Sequence, residues 1–277
     1  MFTFFFYGFY HLFVHLGYEV DGTSALGTYF VFTAFFDHPH IFQTLCRTHY
    51  DREEFHKRPY LYTWGLGGSV VAGFLATALG YVHQLIIFAA IFGSWHVIRQ
   101  HSGFMKAYKR RNQDINPVDN WLDGLTFYTG MFACFFNDYS NVGGPTKIYG
   151  TLKVQFPDLP AETGDIVWDL FELMVITFVG RQIWRLVQGQ GINLPKLLFM
   201  GCALFTHYLV FYSLAVSFLV AEALETAYHT VQYQGWMIHY QRRRFPEVKR
   251  VALKWAGLSL LYGTVVGVVE VYSLLDH

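Results

Sequence analysis

Residues 195–220 read PKLLFMGCALFTHYLVFYSLAVSFLV, and Lys196 is the single charged side chain in this stretch. A membrane-spanning helix needs about 20 consecutive, mostly apolar residues, so the stretch alone is long enough to cross a bilayer. The apolar and aromatic character continues to Tyr240, which is too far for one span. The sequence therefore predicts either a short turn near Ala221 or one long helix that leaves the bilayer.

The rest of the chain has the same character. Hydrophobic residues make up 53% of the 277 residues and charged residues 14%, whereas soluble domains have about 25% charged residues. We therefore expect an all-α fold, a polytopic transmembrane helical bundle of about eight or nine spans that forms one domain over residues 1–277. The predicted spans are Phe2–Tyr18, Ser24–Cys46, Tyr60–Gly80, Val82–Phe104, Gly124–Ser140, Ile166–Leu186, Pro195–Val220, Ala221–Tyr240 and Arg250–Leu274.

The charges between these segments predict an orientation. If the spans alternate, one side receives Arg47, Arg52, Lys57, Arg58, Lys106, Lys109, Arg110, Arg111, Arg181, Arg185, Lys196, Arg242, Arg243, Arg244, Lys249 and Arg250. The other side receives Glu19, Asp21, Lys147, Lys153, Asp158, Glu162 and Asp165. By the positive-inside rule, we expect the amino terminus and the basic loops in the cytoplasm. The expected location is a bacterial inner membrane.

Composition also excludes some classes of function. The formal net charge is zero, which argues against nucleic-acid binding. Cys46, Cys134 and Cys202 are far apart in the sequence and form no CxxC pair. Neither a disulfide framework nor a zinc knuckle is therefore indicated.

Ionisable side chains inside membrane spans are costly and usually functional. His11 and His15 lie four residues apart and share one face of the first span. The sequence Asp-His-Pro-His at 37–40 lies in the second span, where the proline should kink the helix. His96 and His101 lie near the cytoplasmic end of the fourth span. The eighth span has a polar stripe formed by Glu222, Glu225, His229, Gln232, Trp236 and His239.

With a rise of about 1.5 Å per residue, these groups reach similar depths in the membrane. Imidazole and carboxylate groups are the ligands of non-haem iron, so we expect one or two iron atoms. Asp37, Glu222 and tyrosines would hydrogen-bond to the ligands, and Tyr228 and Tyr233 would line the pocket. The predicted metal ligands are His11, His15, His38, His40, His96, His101, Glu222, Glu225 and His229.

One pair of these ligands sets a geometric condition. His96 and His101 are five residues apart, which is about 140° around a straight helix. Both can therefore bind one metal only if the helix is distorted or ends there. A turn at Ser102-Gly103 would permit such an ending.

Other histidines fit structural roles better. His83, His207 and His239, taken singly, are typical of helix–helix hydrogen bonds. His49 and His56 lie in the charged segment from Arg47 to Arg58 and are expected at the surface. His277 is the carboxy-terminal residue, for which we expect no role.

The H-x4-H spacing of His96 and His101, with the segments DHPH (37–40) and ETAYH (225–229), resembles the histidine boxes of membrane fatty-acyl desaturases and hydroxylases. The chain has no H-x-x-H-H box. Its histidines on predicted membrane helices are also similar to the bacterial carotene-cleaving dioxygenases of the Brp/Blh type. The resemblance implies a membrane metal-dependent oxidoreductase of lipid metabolism, with a di-iron centre near the cytoplasmic face. An apolar or lipid substrate and a separate electron-donor protein are implied with it.

Two other functions stay open at this point. Two histidines on different helices could ligate b-type haem in an electron-transfer subunit. Alternatively, Glu222, Glu225 and His229 could form the proton relay of a proton-coupled transporter. The same residues are also compatible with a structural subunit of a larger membrane complex.

Overall fold

The computed structural model describes residues 2–19, 22–140, 144–214 and 216–275, with only the backbone at position 2. Helix accounts for 82% of the residues and strand for 3%, so the fold is all-α, as expected. Asp21 and His277, which the sequence analysis considered, lie outside the described residues. In the described ranges the α-helices are α1 (Phe2–His15), α2 (Thr23–Phe32), α3 (His38–Leu45), α4 (Arg52–Lys57), α5 (Leu66–Ala78), α6 (Val82–Arg111), α7 (Pro117–Ser140), α8 (Ala161–Val187), α9 (Leu194–Tyr208), α10 (Phe218–Arg244) and α11 (Val251–Leu275).

Wider π-helical turns and one small hairpin complete the secondary structure of this part of the chain. The π-helical segments are Thr33–Asp37, Cys46–Tyr50, Leu61–Gly65 and Leu209–Ser213. The strands β1 (Thr146–Tyr149) and β2 (Leu152–Val154) pair with each other. The segment Thr33–Asp37 joins α2 to α3 and ends two residues before Pro39, which has no N–H to donate to the preceding turn. Such π segments frequently occur at functional sites.

Within the described residues, four helices are long and apolar enough to cross a membrane. They are Leu61–Ala78, Val82–Arg111, Leu194–Ser213 and Val251–Leu275, and each overlaps a predicted span. The helices α7, α8 and α10 are also long, but they contain more polar and charged residues. No residue of Leu61–Ala78 is buried, which suits contact with lipid.

The long apolar region from Pro195 to Tyr240 forms two helices. The first ends at Ser213, and Leu214 is extended with φ −101° and ψ 114°. Ser217 is also extended, and α10 begins at Phe218. The break therefore falls a few residues before Ala221, where the sequence placed it.

The chain divides into two compact units. Unit 1 comprises Met1–Ile86, Lys147–Val154 and Val216–His277, and unit 2 comprises Ile87–Thr146 and Gln155–Ala215.

In unit 1, α11 packs closely against the distorted part of the helix that runs from α2 into α3. A Cβ atom at Gly263 would overlap the carbonyl oxygen of Ala34 and lie 2.6 Å from Cδ of Pro39. One turn later, a Cβ atom at Gly267 would lie 3.1 Å from Cβ of Ala34. Small residues four apart allow membrane helices to approach this closely. The same face of α11 continues to Glu270.

In unit 1, a hydrogen-bonded ion pair between Asp51 and Arg244 joins the start of α4 to the end of α10. Asp51 is 3% exposed and caps α4 by accepting hydrogen bonds from the N–H groups of Glu53 and Glu54. Arg244 donates to both carboxylate oxygens of Asp51, at 2.6 and 3.0 Å, and Tyr240 donates to the same group. The hydrogen bonds from Arg244 hold the pKa of Asp51 well below its usual range, although burial opposes them.

In unit 2, buried charges join α6, α7, α8 and α9 at one end. Lys196 is fully buried and contacts both oxygens of Asp123 at 3.0 and 2.9 Å. Lys109 binds the same carboxylate. The network continues through Asp114, Asp119, Arg181 and Arg185, whose ion-pair distances are 2.7 to 3.2 Å. Because each carboxylate in it meets a cation, the burial of these charges is compensated.

Candidate metal centre

Seven ionisable side chains come together in unit 1, where the helix of α2 and α3 meets α10 and α11. We call this group the imidazole–carboxylate cluster, and its members are Asp37, His38, His40, Glu222, Glu225, His229 and Glu270. Six of the seven were singled out from the sequence as ligands or as their hydrogen-bonding partners. Glu270 is the addition.

His40 and His229 form a close pair in the cluster. Their ring centroids are 5.0 Å apart, and one ring nitrogen of each lies within 4.8 Å of one on the other. The two residues are 7% and 3% exposed. With metal–nitrogen bonds of about 2.1 Å, an ion would lie about 3.2 Å from each ring centroid, and the observed separation corresponds to a nitrogen–metal–nitrogen angle of about 100°. The pair therefore fits two adjacent positions around one ion.

Aromatic and polar groups hold this pair in place. The ring of Tyr233 packs edge-on against His40 with the centroids 4.7 Å apart. The hydroxyl of Tyr233 in turn forms a 3.0 Å hydrogen bond with Thr44, one turn after His40 on α3. The orientation of the His40 ring is thus fixed by packing, as a ligand requires.

Three carboxylates of the cluster interact with one another. Glu225 precedes His229 by one turn on α10, so both point from the same face of that helix, and Glu225 is 7% exposed. Asp37 and Glu222 are close enough to Glu225 and to each other for electrostatic interaction. Carboxylates buried together repel one another unless a cation or protons accompany them. This arrangement therefore favours a bound cation, bound protons or both.

A hydrogen-bonded chain forms the edge of the cluster. Glu270 on α11 bonds to Nε2 of His38 at 2.9 Å and accepts a 3.0 Å hydrogen bond from the hydroxyl of Tyr29. Nearby, Gln234 donates to the carbonyl of Phe36 at 2.9 Å, inside the π-helical segment. In metal sites, the ring nitrogen of a histidine that does not bind the metal usually donates to a carboxylate, a carbonyl or water.

Glu270 was missed because the sequence analysis treated α11 as a plain apolar span. Two signals were available. It is the only acidic residue in α11, and it lies seven residues after Gly263 and three after Gly267. These spacings put all three residues on one helix face, so the face that approaches Ala34 also presents the carboxylate.

The other two predicted ligands of unit 1 lie on α1. His11 and His15 are exposed on α1, and the ring of His11 packs against Tyr7. In the described part of the chain, neither forms a hydrogen bond or ring contact with the histidines of α3 or α10. His96 is exposed on α6 in unit 2, whereas His101 is buried. The α-helix is regular from Val82 to Arg111, so the distortion that would turn both toward one metal is absent.

His101 has a different neighbour within unit 2. Its ring lies 5.6 Å from that of His207 on α9, at nearly a right angle, and both residues are fully buried. Each Nδ1 lies 2.9 Å from a carbonyl one turn earlier, of Val97 and Ala203 respectively. Because a carbonyl only accepts, both Nδ1 atoms must carry the proton. The sequence had considered His207 alone and assigned it a structural role.

Three other histidines are exposed, as the sequence predicted for His49 and His56. His49 and His56 are exposed around α4, and each bonds to a backbone carbonyl, of Tyr62 and Arg52 respectively. His239 is exposed on α10 and packs against Trp236 with the ring centroids 6.2 Å apart. A substitution of the exposed His239 can therefore serve as a control for a substitution of the buried His229.

No protein-family model, no curated protein and no solved structure matches this chain. The likeness to histidine-box oxygenases therefore stays a prediction. Any assignment of function depends on the geometry of the imidazole–carboxylate cluster.

Proposed function

We propose that this chain is a membrane non-haem iron oxygenase, hydroxylase or desaturase that acts on an apolar, lipid-like substrate. The observation that supports it is the buried pair of His40 and His229, whose ring centroids are 5.0 Å apart. Helices apolar enough to span a membrane occur in the same chain, which suits a substrate dissolved in the bilayer.

The donor set fits iron. Two imidazoles and one carboxylate, from His40, His229 and Glu225, match the ligands of many ferrous oxygenases. Asp37 and Glu222 supply the further carboxylates that a second iron atom would need. The proposal therefore covers one or two iron atoms, with Glu225 or Glu222 as the bridging group in the second case.

Bound ferrous iron would supply the activation of O₂, and the chain would supply position and protons. In hydroxylation, one oxygen atom enters a C–H bond of the substrate and the other leaves as water. This balance requires two electrons and two protons. We assign the electrons to a separate electron-donor protein. His38, held by Glu270, and the neighbouring carboxylates are placed to deliver protons.

The separation of His40 and His229 argues against haem between them. Two imidazoles on opposite sides of one iron, with bonds of about 2.1 Å, would have ring centroids about 6.4 Å apart. The observed distance is 5.0 Å. An absorbance spectrum of the reduced protein tests this directly, because a bis-histidine haem gives sharp visible bands.

One observation favours a second candidate function, proton-coupled transport. Tyr29, Glu270 and His38 form a continuous hydrogen-bonded chain, and four carboxylates lie in the same cluster. Such groups can pass protons through a membrane protein. Proton-coupled uptake by metal-free protein in liposomes, abolished by Glu270→Gln, would favour this function over the oxygenase.

We further propose eight or nine spans, in which α1, the continuous helix from α2 to α3, α7, α8 and α10 cross the bilayer in addition to the four most apolar helices. The membrane would be a bacterial inner membrane, with the amino terminus and basic loops in the cytoplasm, as the charge distribution predicts. Labelling of single cysteines placed at 112 and at 158 with a membrane-impermeant reagent tests this orientation. Only the residue at 158 should react from outside the cell.

Metal analysis of the purified protein tests the oxygenase. We expect at least about one equivalent of iron in the wild type and less than about a tenth in His40→Ala or His229→Ala, because loss of a direct ligand abolishes tight binding. His239→Ala is the matched control, since it removes an exposed histidine from the same helix. It should leave the iron content unchanged.

Two results would refute the proposal. One is a wild-type iron content below about half an equivalent after reconstitution with ferrous iron under anaerobic conditions. The other is equal iron content in wild type, His40→Ala and His229→Ala. Elution of the variants at the wild-type volume in size-exclusion chromatography ensures that lost iron does not reflect unfolding.

A further inference from the structure

The connection between α10 and α11 forms a pocket on the surface of unit 1. Its volume is about 340 Å³. Three basic and three apolar side chains line the pocket, and the first turn of α11 forms the rest of its wall. We call it the basic pocket, and its six side chains from the connection and its ends are Arg242, Phe245, Pro246, Val248, Lys249 and Arg250.

Positive charge predominates in the basic pocket, since Glu247 in the same connection does not line it. In the described part of the chain, Arg242, Lys249 and Arg250 take part in no ion pair, and no carboxylate lines the pocket. By contrast, the neighbouring Arg244 is bound to Asp51 and Glu53. Three uncompensated cations around one concave surface attract an anion.

The backbone at the pocket adds to the positive electrostatic potential of the three cations. The first turn of α11 contains no acidic residue, and the positive end of the helix dipole therefore lies in the pocket wall without a counter-charge. The cations alone define the preference for an anion, and the helix terminus strengthens it.

The position of the pocket indicates where the anion comes from. It opens at the start of α11, which is apolar enough to span a membrane. Next to it, Tyr50 packs against both Phe245 and Trp255, with ring centroids 5.3 Å apart in each case. Aromatic clusters of this kind mark the membrane–water interface. Leu253, in the pocket wall, is 65% exposed, so an apolar side chain is accessible beside the cations.

We propose that the basic pocket binds the headgroup of an anionic phospholipid. Its phosphate would accept hydrogen bonds from Lys249 and the two arginines, and its acyl chains would lie along Leu253 and the apolar face of α11. Basic pockets at the ends of membrane helices are suited to such headgroups. The proposal is independent of any metal, because none of these residues belongs to the imidazole–carboxylate cluster.

The test uses the full-length protein in detergent, with native mass spectrometry as the readout. The probes are phosphatidylglycerol and phosphatidylcholine of the same chain length. We expect the wild type to retain one phosphatidylglycerol in clear preference to phosphatidylcholine. The double variant Lys249→Gln, Arg250→Asn should bind it about 25-fold more weakly, because each cation near a lipid surface contributes a factor of about five.

The choice of variants preserves the backbone. Arg250 has φ +56°, a left-handed conformation that asparagine tolerates better than most residues. Arg243→Gln with Arg110→Gln is the matched control, because it removes two exposed cations that do not line the pocket. It should leave the phosphatidylglycerol affinity within about twofold of the wild type.

Three results would overturn the proposal. Equal retention of the two lipids would show that headgroup charge is not recognised. Equal weakening by the test and control pairs would show a diffuse charge effect rather than a pocket. Displacement of phosphatidylglycerol by millimolar inorganic phosphate would show that a soluble anion occupies the site.

Discussion

Replacing Gly263 with alanine should separate α11 from the helix that holds His38. The added Cβ atom would lie 2.6 Å from Cδ and 2.8 Å from Cγ of Pro39, and it would also overlap the carbonyl oxygen of Ala34. Neither the proline ring nor a backbone carbonyl can rotate away. We therefore expect α11 to move outward by about 1 Å, because close-packed interiors cannot absorb an extra methyl group without a shift.

The expected cost follows from that shift. Overpacking of this kind costs about 1–3 kcal/mol, which corresponds to a lowering of the melting temperature by roughly 2–12 °C for a chain of this size. The 2.9 Å contact between His38 and Glu270 should lengthen beyond hydrogen-bonding distance, since Glu270 lies on the same face two turns further along.

The same helix offers a graded series of controls. Gly267→Ala places Cβ 3.1 to 3.3 Å from Ala34, and a small adjustment should accommodate it at a cost below about 1 kcal/mol. At Gly257 a Cβ atom would meet nothing within 4 Å. Gly257→Ala should therefore be neutral or stabilising by up to about 1 kcal/mol, because alanine favours helix.

Thermal unfolding in one detergent, followed by circular dichroism, gives the order of stability. We expect Gly257→Ala to be at least as stable as the wild type, followed by Gly267→Ala and then Gly263→Ala. If Gly263→Ala and Gly257→Ala melt at the same temperature, α11 does not pack on Ala34 and Pro39 as described. Our account of how Glu270 reaches His38 would then fail as well.

Two further predictions concern the buried charges. Asp123→Asn should destabilise the protein by about 3–5 kcal/mol, because it leaves the fully buried Lys196 without its main counter-charge. As a control, the exposed Asp169→Asn should change the melting temperature little. Equal effects of the two substitutions would contradict the proposed role of the network. Asp51→Asn should lower stability at neutral pH through the weakened bond to Arg244. Since folding lowers the pKa of Asp51, its ionised form stabilises the protein above the unfolded pKa of about 3.9, and this contribution is lost as the pH falls toward the lower folded pKa. The difference in melting temperature between wild type and Asp51→Asn should therefore narrow below about pH 4. A difference that does not vary with pH would show that the charge of Asp51 contributes nothing to stability.

Local features of the sequence were enough to predict the secondary structure. In lipid, every backbone N–H and C=O group must find a partner within the protein, so long apolar segments form helices wherever they are placed. Their length and apolar character predicted the all-α fold with eight or nine spans, and four helices in the described part of the chain are long and apolar enough to cross a membrane. Between α9 and α10 the sequence left open a turn near Ala221 or one long helix, because no proline, glycine or charge marks Leu214 to Ser217.

The residues that meet in the candidate centre were only partly predictable. The rise along a helix gives the depth of a side chain, so histidines at a similar depth could be grouped. The rotation of each helix about its axis depends on contacts with its neighbours, and the sequence does not contain that information locally. This is why His101 lies beside His207 rather than sharing a ligand position with His96.

By itself, then, the sequence determined that the chain is helical, that it is apolar enough for a membrane, and that ionisable groups lie within its apolar helices. The tertiary structure decided which of those groups come together. It brought His40 to His229 through the packing of α3 on α10, and it brought Glu270 to His38 through two glycines that permit close approach to Ala34. Both contacts join residues more than 180 positions apart in the chain, and their geometry depends on side-chain volumes at helix crossings rather than on any local pattern.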